Sequence, residues 1–175
     1  MEELIQQLID EGYLKSERII KAFRKVKRSD FVTEKMKDQS HANTPLPLEY
    51  GQTISQPLTV AFMLELLQPK TGDKILDVGS GSGWQTALLA ELVGPEGSII
   101  AIERVPDLKR FGEENVKSYG YENVKFIIGD GTKGYKKQAP YDKIIVAAAA
   151  EIGIPDVLLQ QLAVGGRLVI PVGKY

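Results

Sequence analysis

One short stretch concentrates the chemistry of this chain: Asp77-Val78-Gly79-Ser80-Gly81-Ser82-Gly83-Trp84. A carboxylate stands before alternating glycines, and an indole stands after them. Glycines there let the backbone turn sharply and let a ligand come close. A dinucleotide-binding loop wants a further glycine where Trp84 stands, and an indole at that place would crowd a pyrophosphate. Asp77 would repel a phosphate and favour a cationic amino-acid group. S-Adenosylmethionine carries a sulfonium, an ammonium and no phosphate, so the charge pattern favours it over NAD. Asp77, Gly79, Ser80, Gly81, Ser82 and Gly83 are therefore candidate cofactor contacts. A tight strand-to-helix connection would use the same glycines without binding anything.

Two more carboxylates stand at the ends of apolar runs. Glu103 closes Ser98–Glu103, where a carboxylate can accept both hydroxyls of a ribose. A surface glutamate at a strand end is the alternative. Asp130, in Gly129-Asp130-Gly131, could read the edge of an adenine through its carboxylate or the adjacent N–H, or could simply make an Asp-Gly turn. The run Lys143–Ala149 continues into Ala150 and Glu151, not into the Asn/Asp-Pro-Pro-aromatic loop of amine and amide methylases. That argues against methylation of base or glutamine nitrogen. Its small alanines leave room for a bulkier substrate backbone, or pack tightly against a helix. Upstream, Pro45–Pro57 (PLPLEYGQTISQP) carries Thr53 and Ser55 just before an apolar helical stretch. Ser55 reads equally as a site residue or as a helix N-cap.

The elements that must hold these residues follow from periodicity. Leu4, Ile5, Leu8 and Ile9 form one helical stripe, and Ser16 can cap a second helix running to about Lys27. Residues 38–57 read as a long loop, a class that is often functional in a compact domain. A helix is predicted over Leu58–Leu67. Strands are predicted over Lys74–Val78, Ser98–Glu103, Val124–Ile128, Lys143–Ala149 and Arg167–Val172. The intervening helices are Trp84–Val93, Pro106–Tyr119 and Pro155–Val164, the last stopped by Gly165 and Gly166. Strict alternation implies βαβ units and a parallel sheet with right-handed crossovers. Ligands of such sheets sit at the carboxyl ends of the strands.

Composition narrows the classes. The 175 residues suit one domain, and 43% apolar with 26% charged content suits a globular one. With a net charge of −1 and no clustered basic stripe, nucleic acid is not the expected partner. The densest basic stretch, Lys21 to Lys27, reads as the solvated face of an amphipathic helix. No cysteine is present, which removes disulfides, thiolate catalysis and Cys-ligated zinc. The single histidine, His41, cannot build a histidine metal site alone, so no metal is expected. No apolar run approaches a membrane span. The acidic, amphipathic N-terminus is not a secretion signal, and a cytoplasmic location is expected.

Several motifs occur together in order: PLPLEYGQTISQP, DVGSGSGWQTA, GDGTKGY, APYDKIIVAAAA and LAVGGRLVIPVG. From about Ser29 to Gly173 the chain resembles the protein-L-isoaspartate O-methyltransferases. The resemblance implies a Rossmann-like class I methyltransferase: a doubly wound, mostly parallel sheet in a three-layer αβα arrangement with an N-terminal helical extension. It implies one domain, with residues 1–70 supplying helices and the active-site loop, and residues 71–175 the cofactor-binding sheet. Ser55 aligns with the serine treated as the active-site residue, with Thr53 beside it. Gln52, Thr53, Ile54 and Ser55 would close over the cofactor, Glu103 with Arg104 would hold the ribose, and Asp130 with Gly131 the adenine.

The implied reaction moves a methyl from S-adenosylmethionine to the α-carboxylate of an L-isoaspartyl residue, leaving S-adenosylhomocysteine. A carboxylate is already ionised at pH 7 and needs no general base, which suits a chain with one histidine and no cysteine. The ester then cyclises to a succinimide without the enzyme, and the expected partners are damaged proteins and peptides. Members of that family continue for some tens of residues past the strand ending near Gly173. A sheet stopping there would expose Arg167–Val172 as an apolar edge and favour self-association. Alternatives are a class I methyltransferase for another carboxylate or a small molecule, and a short form that binds cofactor without turnover.

Overall fold

The computed structural model describes residues 1–150 and 153–173. In chain order the elements are α1 (Glu2–Asp10), α2 (Glu17–Lys25), β1 (Leu46–Pro47), β2 (Thr53–Ile54), α3 (Pro57–Leu67), β3 (Lys74–Val78), α4 (Trp84–Val93), β4 (Ser98–Glu103), α5 (Pro106–Ser118), β5 (Val124–Ile128), β6 (Tyr141–Val146), α6 (Asp156–Leu159) and β7 (Leu162–Val169). Short 3-10 turns fill parts of the connections. No helix among the described residues is long and apolar enough to cross a membrane.

The strands β3 to β7 form one sheet in the order β5-β4-β3-β6-β7, and every neighbouring pair is parallel. Sheets covered on both faces read as continuous apolar runs, and β3, β4 and β6 do so. Alternate residues serve opposite faces. Ile75, Ile99, Ala101 and Ile145 join the core under α1 to α5, while Leu76, Val78, Ile100, Ile102, Ile144 and Val146 join a smaller core with Leu158 of α6. The chain winds outward from β3 through β4 to β5, then returns to the other side of β3 for β6 and β7. This change of direction puts a crevice between the ends of β3 and β6, where the glycine loop leaves β3.

Three expectations change. The last helix is short: α6 covers only Asp156–Leu159. Leu162 to Val164, expected in that helix, belong to β7, where Leu162 pairs with the buried Tyr141. Gly165 and Gly166 do not stop a helix; they lie in an irregularity of the β6–β7 ladder, with Gly165 at φ 78°. A Cβ on Gly166 would lie 2.8 Å from the Ala163 carbonyl and 2.9 Å from that of Asp142. The fourth core strand also ends early. Val146 is the last β6 residue opposite β3, which itself ends at Val78, so Ala147 to Ala150 leave the strand and face the crevice instead. An isolated bridge from Ala150 to Val172 continues the line.

The long loop 38–57 is more ordered than its composition suggests. Leu46 pairs with Ile54 and Pro47 with Thr53, antiparallel, across a tip where Tyr50 takes the left-handed region at φ 61°. Ser16 does occupy the N-cap position of α2, but its hydroxyl donates to Glu65 of α3 (2.6 Å) and caps nothing. Glu65 also accepts from the Lys15 and Ser16 amides, so the entrance to α2 is held by a neighbouring helix.

Candidate active site

A cleft of about 420 Å³ opens at the carboxyl ends of the strands. Its walls come from four places: β2 with its flanking residues, the glycine loop after β3, the end of β4, and the turn after β5, with the alanine run after β6 closing the far side. Of the residues singled out from sequence, Gln52, Thr53, Ile54, Ser55, Gly79, Ser80, Gly81, Ser82, Glu103, Arg104, Asp130 and Gly131 all line it.

Asp77 and Gly83 stand behind the wall. Asp77 is 0% exposed, and its carboxylate accepts from Gln85 Nε2 (2.8 Å) and Thr86 Oγ1 (2.6 Å) on the first turn of α4. Burial raises its pKa to about 6, against the lowering effect of these two donors. Asp77 thus ties the strand end to the helix start and sets the shape of the loop between. Gly83 is the N-cap of α4 at φ 85°. A Cβ there would lie 2.7 Å from the carbonyl of Gly112, so the absence of side chains on both residues lets α5 press against the glycine loop. Trp84 does stand where a third dinucleotide glycine would be, and it borders the cleft while almost wholly buried. It packs edge-on against Phe23 of α2, with centroids 5.6 Å apart.

Glu103 organises the loop in front of it. One oxygen accepts from the amides of Arg104 (2.8 Å) and Val105 (3.0 Å), and the other from the amide of Gly81 (3.0 Å). The carboxylate is buried and fixed, yet still borders the cleft. Asp130 is exposed and accepts from the Thr132 amide and hydroxyl at 3.0 and 2.7 Å. Those bonds hold its pKa below the usual carboxylate value. They also make Asp130 the cap of the 3-10 turn Gly131–Lys133, so the Asp-Gly turn and the wall residue are one and the same.

Ser55 does not cap α3. The N-cap of α3 is Gln56, and the α3 amide of Leu58 is satisfied by Asn43 Oδ1 (3.0 Å) from across the loop. Ser55 is half-buried on the cleft wall, and its carbonyl accepts from Arg28 (3.1 Å). Tyr50, at the loop tip, donates to Asp107 at the start of α5 (2.6 Å), which straps the loop across the end of β4.

Sequence reasoning missed several participants. Thr132, Pro155, Leu158 and Ile170 line the cleft, and only the folding of separate segments brings them there. Gln161, which is 4% exposed, donates to the Lys133 carbonyl and accepts from the Tyr135 amide, pinning the turn after Asp130. Arg28 sits one residue past a basic stretch that reads as solvated, yet it is fully buried. Nothing local distinguishes it from its exposed lysine neighbours. Glu151, which follows the alanines, and the end of the chain after Gly173 lie outside the described residues.

Comparisons with known proteins agree with one another. The whole chain, residues 1–175, matches the protein-L-isoaspartate(D-aspartate) O-methyltransferase family. It is 52% identical over 170 residues to a protein-L-isoaspartate O-methyltransferase of Ignicoccus hospitalis, covering 97% of this chain and 80% of that one. It is 49% identical over 173 residues to one from Methanopyrus kandleri, covering 98% of this chain and 76% of that one. Among solved structures, a protein-L-isoaspartate O-methyltransferase superposes with a TM-score of 0.87 at 30% identity, over 98% of this chain and 55% of that longer one. A Plasmodium falciparum structure described as the same enzyme type, in complex with S-adenosyl-L-homocysteine, superposes with a TM-score of 0.86 at 28% identity, over 98% of this chain and 84% of that one.

Proposed function

Because this chain belongs to the protein-L-isoaspartate O-methyltransferase family, we propose that it moves the methyl group of S-adenosylmethionine onto the α-carboxylate of L-isoaspartyl residues in damaged proteins and peptides. One observation carries the assignment of roles: a single cleft gathers the Gln52–Ser55 segment, the glycine loop and Glu103.

The residues present fit the cofactor. The Ser80 hydroxyl is buried with no hydrogen-bond partner, and Ser80 lines the cleft. A buried hydroxyl left unpaired is costly, and a polar ligand would supply the missing partner. With three amide bonds already made, Glu103 keeps one of about four lone-pair sites free, on the oxygen that holds only Gly81, enough for one ribose hydroxyl rather than both. Gly79, Gly81 and Ser82 would pass along the amino-acid portion, with Asp77 contributing negative charge from behind. Arg104, Asp130 and Gly131 would border the adenine end. S-Adenosylmethionine, when bound, supplies an electrophilic methyl on a cationic sulfur.

The protein's part is positioning. An acceptor carboxylate is ionised at neutral pH, so no side chain has to remove a proton. Ser55 donates a hydrogen bond that orients the carboxylate, an interaction of about 1.5–3 kcal/mol for a charged partner. Thr53, on the same strand end, borders the path of entry. Ala147 to Ala150 present short side chains to the cleft and leave space for a peptide backbone. The segment from Gln52 to Ser55 excludes water from the reacting groups, where alignment dominates the rate.

Residues 1–70 and 71–175 act as one domain in this proposal, since the helices α1 and α2 share a core with the sheet. A cytoplasmic setting suits a chain without cysteine, which has nothing to gain from an oxidising compartment.

The test is transfer of labelled methyl to an isoaspartyl peptide and to its normal aspartyl twin. The proposal expects transfer to the first alone; equal labelling, or none, refutes it. Ser55→Ala is expected to cut turnover at least tenfold while leaving cofactor affinity within threefold. Equal loss of both would make Ser55 a cofactor contact.

A further inference from the structure

Arg28 opens a 3-10 turn, Arg28–Phe31, just after α2, and none of its surface reaches solvent. Its Nη1 donates to the carbonyls of Ser40 and Ala42, both at 3.1 Å. Its Nη2 donates to the carbonyls of Thr44 (2.8 Å) and Ser55 (3.1 Å). The guanidinium lies 5.5 Å from the centre of the Trp84 ring at the start of α4. Among the described residues it forms no salt bridge, and its Nε is buried without a partner. Burial lowers its pKa to about 10, which still leaves it protonated at neutral pH.

A buried cation answered by carbonyl dipoles and one aromatic ring, with no carboxylate among its described partners, is an expensive brace. What it fixes is specific. Ala42 and Thr44 stand where the acceptor loop begins, and Ser55 where it ends. A planar fork of fixed geometry holds both ends at once, which a flexible ammonium cannot reproduce. Asn43 ties the same ends a second time, accepting from the Leu58 amide and, at its carbonyl, from Gln56 Nε2. The cofactor side is assembled differently: Glu103 holds the Gly81 amide, and the Gly83–Gly112 approach sets the loop against α5.

We infer that Arg28 is a positioning residue for the methyl-acceptor side of the site. Its guanidinium clamps the entrance and exit of the 42–55 loop and so aims Ser55 at the incoming carboxylate, while the cofactor wall stands without it. This rests on the reading of Ser55 proposed above.

The experiment compares Arg28→Lys, which keeps charge and loses the fork, with Arg28→Met, which keeps length and loses charge. Melting temperature, calorimetric affinity for S-adenosylhomocysteine, and kcat and KM on an isoaspartyl peptide are measured below each variant's own melting transition. Both variants are expected to fold and to bind S-adenosylhomocysteine within threefold of wild type. Both are expected to lose at least thirtyfold in kcat/KM, mostly in kcat, with lysine giving no more than threefold recovery over methionine. Turnover within threefold of wild type in a folded variant overturns the inference. So does parallel loss of turnover and cofactor affinity, or failure of both variants to fold, since Arg28 would then serve the whole structure. Wild-type protein that labels no isoaspartyl peptide sinks the functional reading and this inference together, and that result is visible before any variant is assayed.

Discussion

Gly112 is a mid-helix glycine, buried in α5, and replacing it with alanine sets two effects in opposition. At an exposed helical position the change would stabilise by about 1 kcal/mol, because alanine loses less backbone freedom on folding. Here the added Cβ would lie 2.6 Å from the Gly81 carbonyl oxygen, 3.2 Å from the Gly83 nitrogen and 3.3 Å from the Phe126 ring. Restoring an ordinary 3.4 Å contact to Gly81 requires a movement of about 0.8 Å (3.4 minus 2.6). Leu108 and Val116 anchor α5 in the core on either side, so the glycine loop is the part that must yield. Overpacking of this kind costs about 1–3 kcal/mol, which outweighs the gain in propensity. The net loss of up to about 2 kcal/mol corresponds to a melting temperature lower by up to about 6 °C for a chain of this size. The displaced backbone carries the cofactor wall, so affinity for S-adenosylhomocysteine is expected to fall about tenfold, or about 1.4 kcal/mol. Scanning and titration calorimetry read both quantities. A Gly112→Ala protein that melts higher and binds as tightly as wild type would refute the reasoning, because helix propensity would then govern and the close approach would be slack.

Asp77→Asn probes the buried carboxylate. Its pKa is raised from 3.8 to about 6, so the folded state holds the proton more tightly than the unfolded one. Stability from this group is fully present below pH 4 and lost as pH rises through 6, a change of about 3 kcal/mol at most. The amide variant is expected to remove that decline, which melting curves between pH 4 and 7 will show; an unchanged slope contradicts the assignment. Gln161→Leu leaves the Lys133 carbonyl and Tyr135 amide without their partner, at a cost of about 1–3 kcal/mol in urea unfolding, together with weaker cofactor binding from the loosened 131–135 turn. Unaltered binding would mean that the turn holds itself. Tyr50→Phe removes the bond to Asp107 at the surface. The melting temperature is expected to stay the same while amide exchange in residues 46–54 quickens and KM for the peptide rises, and unchanged exchange would show that the strap carries nothing.

The places of the glycine loop, Glu103 and Asp130 on the cleft wall are legible in the sequence because they follow from neighbours a few residues away. A strand, its turn and the helix after it form one local unit, and β3, β4 and β5 begin where their apolar runs begin. The last helix and strand depart from expectation for the same reason. Gly165 and Gly166 match a helix stop when read locally, and only the ladder between β6 and β7 makes them an irregularity within a strand. The sequence leaves Ser55 open as an N-cap because Asn43, which takes the Leu58 amide instead, lies fifteen positions from Leu58 in the chain.

The sequence by itself determined the class of sheet and the position of the glycine loop at its carboxyl edge, since these depend on periodicity and on backbone freedom at single residues. Tertiary structure alone decided which polar groups were buried and what satisfied them. Asp77, expected as a ligand contact, lies behind the cleft wall where Gln85 and Thr86 meet it, and Arg28, which the sequence does not single out, is buried where four carbonyls from separate segments close around it. Desolvation is a property of everything that packs around a group, and no local stretch of residues encodes it.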